Sequence, residues 1–133
     1  MALYAGRFLN INLSSRQVDV VQISEEQARA WFLGSGLAAS LYYEQMRPDL
    51  SPLDPASPVY VFTGLFTGTV LPTGCKFSVC GRSPLTGVWN ESTGGGYWGP
   101  ELRFAGYDGI AITGRADVPV YLWITEPGVE IRD

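Results

Sequence analysis

The sequence contains no histidine. That removes Ser-His and Cys-His nucleophile pairs and the commonest protein metal ligand together, so most hydrolase mechanisms are disfavoured. Cysteine is scarce as well. Cys75 and Cys80, with four residues between them, cannot complete the four-cysteine ligation of a typical iron–sulfur cluster or closed zinc site. Lysine occurs once, at Lys76, and no basic cluster exists in a chain of net charge -4, so nucleic acid is not an expected partner. Charge of either sign is thin: Asp, Glu, Lys and Arg make up 17% of the residues, against about 25% in an ordinary soluble domain. Part of the surface is therefore expected to meet a partner.

No stretch approaches the roughly 18 consecutive apolar residues of a membrane span, and Met1 to Arg7 lacks the basic start and apolar run of a signal peptide. The expected location is the cytoplasm, with both cysteines reduced. Asn12-Leu13-Ser14 and Asn90-Glu91-Ser92 then match the glycosylation sequon by coincidence.

What remains is enough for one core. The chain has 133 residues, of which 46% are hydrophobic, and is read as a single domain over 1–133. Leu9, Ile11 and Leu13 alternate along one face, and after Ser14-Ser15-Arg16 a second β pattern runs from Val18 to Ile23, which predicts an opening hairpin. Ser24-Glu25-Glu26-Gln27 is a capping-box signature, predicting a helix from about Glu25 with Ala28, Trp31 and Phe32 at helical spacing. Gly34-Ser35-Gly36 is expected to break it, and a second helix runs to about Met46, with Pro48 beyond. The glycine pattern there superficially fits a dinucleotide fingerprint, but a helix rather than a strand precedes it, so a change of helix direction is the better reading.

Pro48, Pro52, Pro55 and Pro58 mark a rigid surface connection. Val59–Phe62 reads as a buried strand, and the segment 64–74, rich in Gly, Thr and Pro, as a loop suited to close approach. Phe77–Cys80 and Val88–Glu91 read as strands joined by the Ser83-Pro84-Leu85-Thr86-Gly87 turn. Glu91 to Gly99 is expected to be a loop leading to a short helix over Pro100–Ala105, followed by strands at Gly109–Thr113, Val120–Ile124 and Val129–Arg132. The fold class is α+β, β-rich, with two to three short helices. The sequence stops directly after a strand, as expected of a boundary within a longer chain.

The glycine triplet Gly94-Gly95-Gly96 has two readings. Taken alone, it favours a turn needing positive φ; it also lets a backbone approach a ligand closely, with N–H groups of the following helix turned toward an anion. Its surroundings tip the balance. Pro72-Thr73-Gly74, Ser83-Pro84-Leu85-Thr86-Gly87, Gly94-Gly95-Gly96-Tyr97 with Gly99, and Glu101-Leu102 with Phe104-Ala105-Gly106-Tyr107-Asp108 occur in a specific order. Upstream, Gly6-Arg7-Phe8, Asn12-Leu13-Ser14, Gly36-Leu37-Ala38 and the stretch from Pro58 to Gly64 join them. The chain thereby resembles, over essentially its whole length, the N-terminal domain of the aldehyde ferredoxin oxidoreductase family, tungsten or molybdenum pterin enzymes that also carry an iron–sulfur cluster.

That resemblance implies two sheets forming a seat for a tungstopterin or molybdopterin with magnesium between its phosphates. It implies a [4Fe-4S] cluster supplied only by downstream domains of the same enzyme, and a ferredoxin-type acceptor for the whole. The site residues it implies are Lys76, Ser92, Thr93, Gly94, Gly95 and Gly96, with Thr93 reaching the magnesium through its backbone carbonyl. The family usually has arginine where Lys76 stands, so phosphate contact survives without the bidentate fork, and it often has asparagine where Thr93 stands. No catalytic residue is assigned: the family draws its proton-transfer acids from later domains, and Glu91 and Glu101 are read as solvated. Cys80 is expected in the core and Cys75 in a polar loop. Exposure among Trp89, Tyr97 and Trp98 would favour self-association. The competing reading is a stand-alone β-rich module that binds a phosphorylated small molecule or a protein partner without redox chemistry.

Overall fold

The structure, a computed structural model, describes residues 3–133. Eight strands and three short helices follow one another as β1 (Arg7–Asn12), β2 (Gln17–Gln22), α1 (Glu25–Trp31), α2 (Gly34–Gln45), β3 (Val59–Thr63), β4 (Phe77–Arg82), β5 (Trp89–Gly94), α3 (Trp98–Phe104), β6 (Gly109–Thr113), β7 (Tyr121–Thr125) and β8 (Gly128–Arg132). Six strands form one sheet in the order β2-β1-β6-β3-β4-β5, and β7-β8 form a separate hairpin. All neighbours in the large sheet are antiparallel except β1 and β6. The α+β class, two sheets and short helices all stand as the sequence predicts.

Strand alternation divides the core into two layers. Phe8, Tyr60, Phe62, Cys80 and Ala111 share one sheet face and pack under Ala28, Leu33, Leu37, Ala38 and Leu41 of the α1–α2 region. Leu9, Ile11 and Ile110 face the other way, toward Leu102 and Tyr107 and the inner sides of Leu122, Ile124, Val129 and Ile131 from the hairpin. The hairpin therefore closes the second face only around β1 and β6. At β3 and β4 that same face leaves Val59 and Val79 exposed.

Helix α1 has its capping box in place: Ser24 Oγ accepts from the Gln27 N–H at 3.1 Å while Gln27 Oε1 accepts from the Ser24 N–H at 3.0 Å. The break between α1 and α2 begins before the glycines and includes the first of them, with φ of 55°, 61° and 56° at Phe32, Leu33 and Gly34. Gly36 lies inside α2 and is needed for another reason: a Cβ there would lie 2.4 Å from the Trp31 carbonyl oxygen. An isolated bridge between Leu33 and Gly64 holds the break against the end of β3. The proline-rich connection is pinned in turn, by Arg82 donating to the Leu50 carbonyl at 2.8 Å and by Gly114 N–H donating to the Pro55 carbonyl at 2.6 Å.

Strand β5 differs from expectation. Pairing with β4 runs on past Glu91 through Ser92, Thr93 and Gly94, opposite Val79, Ser78 and Phe77. The expected loop therefore shortens to Gly95, Gly96 and Tyr97 before α3 begins at Trp98. Polar Ser and Thr are acceptable here because β5 is an edge strand with most of its side chains in water.

Candidate functional site

Three consecutive glycines end β5, and each stands on different physical ground. At Gly94 a Cβ would meet the Phe77 ring at 2.4 Å; the ring lies across the strand and itself packs on Trp98 with centroids 4.7 Å apart. Glycine there is a packing requirement. Gly96 has φ +91°, a conformation that side chains with a Cβ rarely adopt, and this is the turn demanded of the triplet. Gly95 has neither demand. Its φ is not left-handed, and a Cβ would make only ordinary contacts, 3.5 Å from Lys76 Nζ and 3.7 Å from Cys75 Sγ.

Lys76 and Gly95, 19 positions apart in sequence, are thus brought together by the β4–β5 pairing. Among the described residues no carboxylate lies within ion-pair distance of Lys76, and its side chain is exposed. The arrangement is a ledge with a free ammonium above a strip of bare backbone. The remaining predicted residues divide. Thr93 opposes Ser78 and so lies on the sheet face of Cys80, while Ser92 opposes Val79 on the other face, so a single ligand cannot be met by both side chains. Helix α3 departs from its expected part too. It has seven residues, Pro100 in its first turn lacks an N–H, and Tyr97 provides no side-chain cap, so it contributes little to anion binding.

The cysteines behave as expected from their surroundings. Cys80 is buried, and burial, with Glu91 adding to it, pushes its thiol up to about 11. Cys75 is half-buried beside Lys76. Glu91 accepts from Ser78 Oγ at 2.9 Å, an edge-strand tether rather than half of a catalytic pair. Tyr97 and Trp98 are exposed, whereas Trp89 is not free: it packs on Tyr42 with ring centroids 5.3 Å apart.

Sequence reasoning missed what holds the ledge in place. Asp108 is fully buried and accepts from the backbone N–H groups of Ala5 and Gly6 at 3.0 and 2.6 Å. Arg103 Nε lies 2.8 Å from Asp108 Oδ1, a charge contact not aligned as a hydrogen bond, while Nη2 donates to Thr63 Oγ1 and the Gly64 carbonyl, both at 2.9 Å. Burial pulls the Arg103 guanidinium below its ordinary range and Asp108 opposes the shift. One buried pair ties the N-terminal segment, the end of β3 and α3 into a unit. Asp108 closes the motif beginning at Phe104, which offered a signal, but an isolated aspartate after a tyrosine does not announce burial.

Comparison with known proteins identifies the family of this fold. Residues 8–133 match the family model for the aldehyde ferredoxin oxidoreductase N-terminal domain, and the chain belongs to that family. It is 43% identical over 128 residues to the tungsten-containing aldehyde ferredoxin oxidoreductase of Pyrococcus furiosus, covering 96% of this chain and 21% of that protein. It is 34% identical over 136 residues to an aliphatic sulfonate oxidoreductase, WOR-like subunit, from the same organism, covering 100% of this chain and 22% of that one. The fold superposes with a TM-score of 0.96 and 30% identity on the active site complex BamBC of benzoyl coenzyme A reductase in complex with 1,5 dienoyl-CoA, over 99% of this chain and 20% of that chain. The chain spans about a fifth of the length of the curated relatives it matches.

Proposed function

We propose that this domain holds the phosphate end of a pterin cofactor, tungstopterin in the first instance, as one wall of the active site of an oxidoreductase acting on aldehydes or related oxo compounds. The observation that carries the reading is Gly95. Neither backbone conformation nor packing within the chain requires glycine there, and the one lysine of the sequence stands 3.5 Å from where its side chain would begin. A missing Cβ beside an unpaired cation suits a phosphate lying on the backbone, with the ammonium as a point charge against it. Tungsten in the names of the relatives supports the choice of cofactor.

The roles follow from position. Lys76 neutralises phosphate charge, Gly95 and Gly96 admit the ligand to the main chain, and Gly94 keeps the ring of Phe77 beneath the strip. Thr93, at the end of an edge strand, offers a backbone carbonyl to a magnesium between phosphates. Ser92 belongs to the strip through its backbone only. When bound, such a cofactor supplies two-electron redox chemistry at its metal, and the residues of this chain do the holding. In this reading the tungsten or molybdenum is carried by the pterin and the [4Fe-4S] cluster by the rest of the enzyme.

Two clefts among the described residues, of about 500 and 740 Å3, do not include Lys76 or Gly95. An open ledge is what one wall of a composite site looks like before its other walls are added. The exposed Tyr97 and Trp98 beside it, with Val59 and Val79 on the open face of the sheet, suit coverage by further domains of the same polypeptide, and uncovered they suit self-association. A ferredoxin-type acceptor and a cytoplasmic location complete the reading; among the described residues no helix is long and apolar enough to cross a membrane.

Metal and pterin analysis of the full-length polypeptide containing this sequence tests it, with Lys76→Ala as the companion variant. The expected result is stoichiometric pterin in the unaltered enzyme and retention weakened roughly tenfold or more by the substitution, the worth of a charge-assisted contact of about 1.5 to 3 kcal/mol. Absence of pterin, with a phosphorylated small molecule bound instead, would favour the stand-alone binding module.

A further inference from the structure

Thr67 belongs to none of the motifs above, yet only 2% of its surface is exposed. Its hydroxyl sits at a junction. Oγ1 donates to the Lys76 carbonyl at 2.5 Å and accepts from the Gly64 N–H at 3.1 Å, and that same N–H reaches the Lys76 carbonyl at 3.3 Å. The methyl of Thr67 faces the first turn of α3, where a Cβ on Gly99 would come within 3.0 Å of it. Gly64 is held in turn by Arg103, whose Nη2 donates to its carbonyl at 2.9 Å, and Arg103 is paired with buried Asp108. One side chain thus joins the end of β3, the approach to β4 and the start of α3.

Lysine makes this junction consequential. Its four-carbon stem is flexible, so the place its ammonium occupies is set chiefly by where the main chain is anchored. Lys76 precedes the first residue of β4 and lacks the ladder bonds that fix Phe77 onward. Its carbonyl is held by the Thr67 hydroxyl and by the longer bond from the Gly64 N–H. Valine in that place would keep the volume and the methyl contact while leaving the carbonyl only the longer bond from Gly64.

We propose that Thr67 is a positioning residue of the cofactor ledge, its hydroxyl locking the Lys76 main chain so that the ammonium stays over Gly95. This rests on the reading of Lys76 and Gly95 as a phosphate-holding pair. Thr67 acts through Lys76 and touches no ligand itself. Its contribution therefore exists only while Lys76 is present to be positioned, which a purely structural role would not require.

The test is the rate of pterin release from the full-length enzyme in a fixed, mild denaturant, followed by the fluorescence of the freed pterin, for Thr67→Val, Thr67→Ser, Lys76→Ala and the Thr67→Val/Lys76→Ala double variant. Thr67→Val is expected to release pterin about 3- to 10-fold faster, the span of one neutral hydrogen bond, and Thr67→Ser at the unaltered rate. In the Lys76→Ala background Thr67→Val should add nothing, as coupled residues do. Release from Thr67→Ser as fast as from Thr67→Val, or a Thr67→Val effect that persists in full without Lys76, would overturn the proposal. Should Thr67→Val fail to accumulate as folded protein, Thr67→Ser decides alone, since it keeps the hydroxyl and loses the methyl. Acceleration by Lys76→Ala with none by Thr67→Val sinks the positioning role only; no acceleration by Lys76→Ala sinks the ledge reading itself.

Discussion

Around β1 and β6 the sheet is covered on both faces, by the two helices α1 and α2 on one side and by α3 and the β7–β8 hairpin on the other. At β4 and β5 the helices still cover one face, but the other bears exposed Val79 and ends in three glycines. The first region is specified by apolar alternation. The second is specified by small residues, a lone cation and an edge. The second face is thus closed at β1 and β6 and open at β4, where the proposed reading seats further domains of the same polypeptide.

The largest break in that comparison comes from the pair that joins the two regions. Asp108→Asn or Arg103→Met leaves the remaining partner buried and uncompensated, and such a loss costs about 3 to 5 kcal/mol. Folded yield and thermal midpoint should fall together, and with them pterin content. A variant that folds normally would show that α3 is held by the apolar contacts of Leu102 alone.

Next come the glycines that the chain itself requires. Gly94→Val forces the Phe77 ring to move and should cost about 1 to 3 kcal/mol as an overpacked site. Gly96→Ala strains a left-handed turn and should cost about 1 kcal/mol. Urea unfolding of both variants separates them from Gly95→Val, whose stability should stay within about 0.5 kcal/mol of the unaltered protein, as for a surface site without special geometry. Equal destabilisation at all three positions would reduce the triplet to a turn.

The last effect is a drift with pH on the covered side. Burial, with smaller contributions from nearby charge, raises Cys80 to about 11 and Tyr60 to about 12 in the folded state. Both are acids that stay neutral longer when folded, so their burial costs nothing below the unfolded values near 8.5 and 10. As pH rises from there through the folded values, the unfolded chain gains charge that the folded one resists, and stability declines. Unfolding midpoints measured from pH 8 to 11 should fall, and Cys80→Ala should remove the lower part of the slope. A flat profile would contradict the burial of both groups.

The covered region was the legible one. Alternation at Leu9, Ile11 and Leu13, the apolar run Val59–Phe62 and the Ser24 capping box each declare a local structure that tertiary packing then confirms. Errors cluster where the partner across space decides. The sequence placed the α1–α2 break at glycines because glycine is the usual left-handed residue, and Gly34 does take that conformation, but Phe32 and Leu33 take it first, while Gly36 answers a clash with Trp31. It ended β5 at Glu91 because Ser-Thr-Gly reads as a loop, whereas β4 offers pairing as far as Phe77. Likewise the juxtaposition of Lys76 with Gly95, and the hub of Thr67, Arg103 and Asp108, depend on contacts between distant segments that no local pattern encodes.

Pterin and metal content per folded full-length protein after Gly95→Val decides whether the phosphates rest on this ledge. A branched side chain placed where the phosphate rests should abolish cofactor retention while the thermal midpoint of the cofactor-free protein is unchanged. Full retention of pterin and tungsten or molybdenum by a folded Gly95→Val enzyme would contradict the account, placing the cofactor's phosphates elsewhere and leaving the ledge between Lys76 and Gly95 without a ligand.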